Sequence, residues 1–198
     1  MTPFLWLVAA IAIERLVELV VSTRHARWAF ANGGVESGRG HYPWMVLIHV
    51  GLLVGCVLET TVGGAEPVAW LAVPMLVLVV AAQVLRWWCI TTLGVRWTTR
   101  VIVVPGMPLV RTGPYRWSQQ RWFGQRWFRH PNYVAVVIEG FALPLVASAW
   151  ITAIAFTAAN AAVLAVRIRA ENAALAGADP AEAHPAAPTT APTTAPTE

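Results

Sequence analysis

The chain has 198 residues, of which 57% are hydrophobic and only 12% charged, and its formal net charge is +4. With a mean hydropathy of +0.57, this composition excludes an ordinary soluble domain and points to a multi-pass membrane protein. The basic surplus does not imply nucleic acid, because no recognition module accompanies it, and the positive-inside rule and anionic lipid headgroups account for it.

Five apolar runs of spanning or near-spanning length follow one another along the chain. The first, Phe4 to Val21, has no Arg or Lys before Glu14, so it lacks the basic start and small-residue cleavage site of a signal peptide and is expected to be a retained helix. It carries Glu14, Arg15 and Glu18, read as an internal ion pair or a helix-packing contact. The second run is Pro43 to Leu58 and the third Val68 to Ile90. Tyr133 to Ala147 and Trp150 to Val166 are the fourth and fifth, joined so closely that a tight hairpin is expected around Ser148. The fold class is therefore an all-α integral membrane bundle of about five transmembrane helices. Cys56 and Cys89 fall inside apolar runs without metal-type spacing and read as small core residues. His41 and His49 bracket the start of the second run without a third ligand, so no metal is expected.

All 14 basic residues are Arg, a bias that suits a bacterial chain. They crowd the first loop, the long segment before the fourth run, and the stretch after the fifth, while the second loop holds only Glu59 and Glu66. The positive-inside rule then puts the N-terminus outside and the long loop in the cytosol. That loop contains a β-like run, Val101 to Val104, closed by Pro105-Gly106, and a turn at Thr112-Gly113-Pro114. After Gly177 the chain becomes a low-complexity Ala/Pro/Thr tail without large apolar residues, and residues 178–198 are expected to be disordered. One membrane domain, residues 1–177, remains.

The polar chemistry concentrates at Arg129-His130-Pro131-Asn132-Tyr133 and at Glu139. Pro131 suits the first position of a helix, so the fourth run should begin there with its positive dipole end at the interface. Glu139 lies seven residues beyond Asn132, on the same face and about 10 Å along the axis. A carboxylate on a lipid-exposed helix costs about 2.5–3.5 kcal/mol on insertion scales, so Glu139 is expected to face the protein interior or a wet cavity. Arg167 and Glu171 stand four apart on the helix that leaves the fifth run, and both can point back to the same mouth.

This pattern resembles the isoprenylcysteine carboxyl methyltransferase family, small membrane enzymes that use S-adenosylmethionine. The resemblance spans about Trp87 to Leu175, with the cofactor region at about residues 91–175. It implies cofactor contacts at Met107-Pro108-Leu109-Val110, at Tyr115, and at His130-Pro131-Asn132-Tyr133, with Glu171 as the C-terminal contact and Glu139 at an acidic position that often follows the motif. Arg167 matches the arginine that meets the acceptor near the reacting group, the residue expected to be catalytic. Leu93-Gly94-Val95-Arg96-Trp97-Thr98-Thr99-Arg100 and His41-Tyr42-Pro43 resemble more closely a bacterial branch whose genes accompany type III polyketide synthases and whose members O-methylate alkylpyrones. Two features depart from the family. Glu171-Asn172 stands where eukaryotic members have Glu-Glu, and Tyr115 and His130 are fifteen residues apart rather than about five. The surplus is a pentad repeat, Arg116-Trp117-Ser118-Gln119-Gln120 followed by Arg121-Trp122-Phe123-Gly124-Gln125, which is expected to loop out at headgroup level.

The resemblance implies transfer of a methyl group from a cytosolic cofactor to a greasy acceptor arriving from the bilayer, with Arg167 holding an anionic oxygen and no metal or covalent intermediate. A sulfonium donor already carries a good leaving group, so alignment and exclusion of water are the main tasks. Two other readings stay open: a phospholipid N-methyltransferase, and a non-catalytic scaffold or small transporter in which Glu14, Arg15, Glu18 and Glu139 line a path.

Overall fold

A computed structural model describes residues 3–119 and 130–176. The expected disorder of the tail and most of the pentad repeat fall outside these residues. The described residues form five α-helices, α1 (Pro3–Ala31), α2 (Tyr42–Thr61), α3 (Ala69–Leu93), α4 (Pro131–Leu145) and α5 (Trp150–Ala176), with two short strands, β1 (Val35–Ser37) and β2 (Val101–Val103). The all-α membrane architecture read from the sequence is the one observed. Among the described residues, three segments are long and apolar enough to cross a membrane: Arg39–Thr61, Ala69–Arg96 and Trp150–Leu175. The other two helices differ for physical reasons. α1 is long, at 29 residues, but carries the Glu14-Arg15-Glu18 charges, and α4 is apolar but has only 15 residues, about 22 Å of helix against a hydrocarbon thickness near 30 Å.

The short helix is the most enclosed. Tyr133, Ala135, Glu139, Gly140 and the run Ala142 to Leu145 are all buried in α4, which packs against α3 and α5. Its residues Ala142 and Leu143, with Val146 and Ala147 just beyond its end, share one core with Phe4, Val8 and Ile11 of α1, Leu52 and Cys56 of α2, Val79 of α3 and Phe156 of α5. The outer faces are the reverse of a soluble bundle: Trp6, Leu16, Trp70, Val84, Ile151 and Ile154 are all exposed, as lipid contact requires. Gly140 lets α4 and α5 approach closely, since a Cβ there would lie 1.8 Å from Cε1 of Phe156.

Two devices set the ends of the α4/α5 hairpin. Ser148 adopts φ 57°, while the Ala149 N–H donates to Pro144 O (3.0 Å) and the Ser148 N–H to Leu145 O (3.1 Å). This is a Schellman motif with serine in the left-handed position, and it gives the tight turn expected at that residue. The first amides of α5 are then capped from another helix. Glu59, at the end of α2, accepts from Ile151 N (3.0 Å), Thr152 N (2.8 Å) and Thr152 Oγ1 (2.7 Å), so a carboxylate meets the positive end of the α5 dipole.

The β-like run expected at Val101 to Val104 forms β2 through Val103. It pairs antiparallel with β1, Val35 opposite Val103 and Ser37 opposite Val101. This small ribbon ties the α1–α2 loop to the segment after α3. The strap before β2, Trp97 to Arg100, is fastened to α1: the His25 Nδ1–H donates to Trp97 O (2.8 Å), the Thr99 N–H donates to Ser22 Oγ (2.9 Å), and the Ser22 and Thr99 hydroxyls are 2.8 Å apart.

Candidate active site

Four of the expected residues meet where α4 begins and α5 ends. His130 is the N-cap residue of α4 and makes no side-chain cap of its own; Pro131 follows it at the start of the helix. That leaves the imidazole free to face α5, where Nδ1 lies 3.4 Å from Glu171 Oε1 and Nε2 lies 3.3 Å from Asn172 Oδ1. One helical turn on, the Tyr133 ring stacks on His130 with centroids 5.1 Å apart. The Tyr133 hydroxyl donates to Glu171 Oε2 and accepts from Arg167 Nε at 2.7 Å. Arg167 and Glu171, which share a face of α5 by spacing, are thus linked through a phenol on the neighbouring helix.

Arg167 is 7% exposed, so its charge has to be answered inside the protein. Its Nη1 donates to Thr99 O (2.6 Å) and points at Met45 Sδ (2.8 Å), and the guanidinium carbon sits 5.3 Å from the Tyr133 ring centroid. Thr99 and Met45 were not singled out as site residues from the sequence. The signal was present in their neighbours, since Thr99 sits within Thr98-Thr99-Arg100 and Met45 lies two residues past His41-Tyr42-Pro43. Both segments carried the likeness to the bacterial branch.

Tyr115 reaches the same region from the turn after Gly113. Its phenol shares a hydrogen bond with the Cys89 thiol, and Glu171 and Tyr133 act on it electrostatically. Burial above all, with Cys89 and then Glu171 adding to it, pushes the phenol well above its ordinary value, so it is a neutral hydrogen-bonding group. Cys89 is thus both a core residue, 0% exposed, and a partner of a candidate site residue. Asn132, one position into α4, holds its Oδ1 buried with no hydrogen-bond partner.

Two sets of expected cofactor residues are joined to this cluster by no hydrogen bond or ion pair among the described residues. Met107 to Val110 follow a turn closed by Met107 N–H to Val104 O (3.4 Å), Leu109 is 49% exposed, and the Pro108 carbonyl accepts from Arg96 Nη1 (2.5 Å). Among the described residues, no hydrogen bond or ion pair joins this segment to His130 or Glu171. Glu139 faces inward, but its carboxylate is held by other helices: Arg86 Nη2 of α3 donates to Oε2, and Arg15 Nη1 of α1 is 3.7 Å away. Arg15 also reaches Glu18 at 2.9 Å and Gln83 Oε1 at 3.1 Å, while the Trp87 indole donates to Glu14 at 2.5 Å. Arg86 Nε lies 3.6 Å from Glu18 Oε1. This network ties α1, α3 and α4 together deep in the bundle. It answers the question of Glu14, Arg15 and Glu18 in favour of ion pairs.

Comparison with known proteins adds an independent line. The sequence model of the isoprenylcysteine carboxyl methyltransferase family matches residues 75–177, just over half of the chain. The chain is 33% identical over 173 residues to the uncharacterized protein YpbQ of Bacillus subtilis, covering 87% of this chain and 96% of that protein. It is 25% identical over 168 residues to an uncharacterized protein of Haemophilus influenzae, covering 84% of this chain and 91% of the relative. No solved structure matches. The matched span contains α4, α5, the strap at Thr99 and every residue of the cluster except Met45.

Proposed function

The chain belongs to the isoprenylcysteine carboxyl methyltransferase family, a family of membrane methyltransferases, and on that premise we propose that it is an S-adenosylmethionine-dependent O-methyltransferase. Its acceptor is a lipophilic molecule with an acidic oxygen, a carboxylate or the enol of an alkylpyrone, methylated at the cytosolic face of a bacterial plasma membrane. The observation that carries this reading is the bridge made by the Tyr133 hydroxyl, which joins a buried arginine to a carboxylate at one helix mouth.

The residues present fit the cofactor. Glu171 and the unpartnered Oδ1 of Asn132 are acceptors suited to an ammonium group, and the stacked rings of His130 and Tyr133 offer an aromatic face that suits a sulfonium cation. When bound, S-adenosylmethionine supplies an electrophilic methyl group on a sulfur that leaves as a neutral thioether. The protein's part is to orient. Arg167 holds the acceptor oxygen in its ionised form through charge-assisted hydrogen bonds, and Thr99 O and Tyr133 fix the guanidinium plane so that its fork is set before the acceptor arrives. An anionic acceptor needs no general base. The enclosed position of the cluster excludes water, which strengthens each of these interactions.

Arg167 also separates this reading from an amine acceptor, whose cationic form an arginine would repel. The transporter reading is weakened by the pairing of Glu14, Arg15, Glu18 and Glu139 with one another and with Arg86, which leaves these groups occupied. The Arg distribution supports the cytosolic assignment of the mouth. The test is incubation of purified protein with methyl-labelled S-adenosylmethionine and a lipid extract of the source. Label is expected in a methyl ester or enol ether. Label confined to a phospholipid amine would contradict the O-methyl assignment, and binding of the cofactor with no transfer to any lipid fraction would contradict the acceptor class.

A further inference from the structure

Two adjoining depressions open at the end of the bundle that carries Arg167, one of about 450 Å³ and one of about 260 Å³, with Phe30, Tyr42 and Arg100 in the wall of both. They arise because α1 and α2 share a core at their other ends, through Phe4, Val8, Ile11, Leu52 and Cys56, and part here around the β1–β2 ribbon. One side of the groove is apolar: Leu19 and Phe30 of α1 line it and are 45% and 42% exposed, so it is continuous with the lipid-facing surface. The other side is basic. Arg39 and Arg100 line the larger depression and Arg27 the smaller, against one carboxylate, Glu36, which lies 3.1 Å from Arg39 and 3.7 Å from Arg100. Three guanidiniums against one carboxylate leave an excess of two positive charges. The side chains of Arg39 and Arg100 are 76% and 44% exposed, and Arg100 stands over the Tyr42 ring at 5.3 Å.

We propose that this groove is a binding site for an anionic phospholipid of the surrounding bilayer. The headgroup phosphate lies among Arg27, Arg39 and Arg100, and an acyl chain runs down the Leu19–Phe30 face of α1. Phosphate recognition by guanidinium groups and an apolar wall continuous with the bilayer are the two requirements of such a ligand. The methyl acceptor is a poorer occupant, because Arg167 lines neither depression, and Thr99 lines the smaller one. The N–H and hydroxyl of Thr99 are engaged by Ser22, and its carbonyl is held by Arg167, so a molecule in the groove meets the back of the strap and not the guanidinium. The site stands independently of methyl transfer.

Native mass spectrometry of the full-length protein tests this, using an equimolar mixture of phosphatidylglycerol and phosphatidylcholine with identical chains. The parent is expected to retain phosphatidylglycerol preferentially. Arg27→Gln and Arg100→Gln should each lower the retained ratio about five-fold, the equivalent of about 1 kcal/mol per arginine at a membrane surface. Arg100→Lys should keep most of the preference and so separates loss of charge from loss of folding. Arg24→Gln, on the same helix but outside the groove, should leave the ratio unchanged. Equal retention of the two lipids by the parent, or an equal fall in Arg24→Gln, would overturn the proposal in favour of diffuse surface attraction. Displacement of the lipid by millimolar glycerol phosphate would overturn it in favour of a soluble phosphate ligand. Displacement by hexadecanoate at the lipid's own concentration would hand the groove to a single-chain acid.

Discussion

Replacing Arg86 with Met removes one of two cations from a deep network that contains three carboxylates, Glu14, Glu18 and Glu139, and two guanidiniums, Arg15 and Arg86. The network's formal charge falls from −1 to −2 in a region where Arg86, Glu18 and Glu139 are each 4–5% exposed. Removing one partner of a buried ion pair costs about 3–5 kcal/mol, because the other charge is left unanswered. Arg15 remains within 3.7 Å of Glu139 and 2.9 Å of Glu18, which places the expected loss near the lower end, about 3 kcal/mol. For a chain of this size that corresponds to a fall of roughly 6–12 °C in melting temperature. The double variant Arg86→Met/Glu139→Leu returns the network to −1 and replaces the pair with apolar volume, an exchange that is often neutral or stabilising. The assay is thermal unfolding of the purified variants in one detergent. Recovery of most of the lost stability by the double variant is expected. If the single variant melts within about 2 °C of the parent, or the double variant is no better than the single, the network does not hold α1, α3 and α4 together as argued.

Three further outcomes follow from the packing and the cluster. Gly140→Ala would set a methyl 1.8 Å from Phe156 Cε1, so a loss of at least about 1–3 kcal/mol is expected, and Phe156→Leu in the same chain should return part of it; a neutral Gly140→Ala would show that α4 and α5 are not in close contact there. Glu59→Ala removes the acceptor of three α5 hydrogen bonds and should cost about 0.5–2 kcal/mol, read by the same melting assay, with no change in cofactor affinity. Arg167→Lys keeps a charge but not the fork that meets both Thr99 O and the Tyr133 hydroxyl. Its methyl transfer is expected to fall at least ten-fold while S-adenosylhomocysteine affinity stays near that of the parent, and undiminished turnover would reduce Arg167 to a structural tie.

The helices, the turn at Ser148 and the start of α4 at Pro131 were legible in the sequence because each rests on local chemistry: an apolar run, two such runs with almost no chain between them, a proline where no amide is needed. The shared face of Arg167 and Glu171 was legible for the same reason, being a matter of helical period. What was not legible depends on partners distant along the chain. Glu139 reads as a site carboxylate when only its helix is considered, but Arg86, 53 residues earlier, takes it into the deep network. Nothing local distinguishes a carboxylate held by an arginine on another helix from one offered to a ligand. The Tyr133 hydroxyl as the link between Arg167 and Glu171, the Thr99 carbonyl as the second hold on Arg167, and the pairing of Val35–Ser37 with β2 all arise from the way the strap crosses the end of the bundle. A three-residue strand such as β1 has too little pattern to announce itself.

The central claim is that the His130–Tyr133–Glu171 cluster binds the methyl donor, and calorimetry with S-adenosylhomocysteine on the detergent-solubilised protein tests it most directly. Glu171→Gln removes the carboxylate that meets both His130 and Tyr133 while keeping its shape, and Glu139→Gln changes a carboxylate of the separate deep network. The account predicts saturable binding by the parent, at least ten-fold weaker binding by Glu171→Gln and an affinity close to the parent's in folded Glu139→Gln. No binding at millimolar ligand, or equal affinity in the parent and Glu171→Gln, would contradict it.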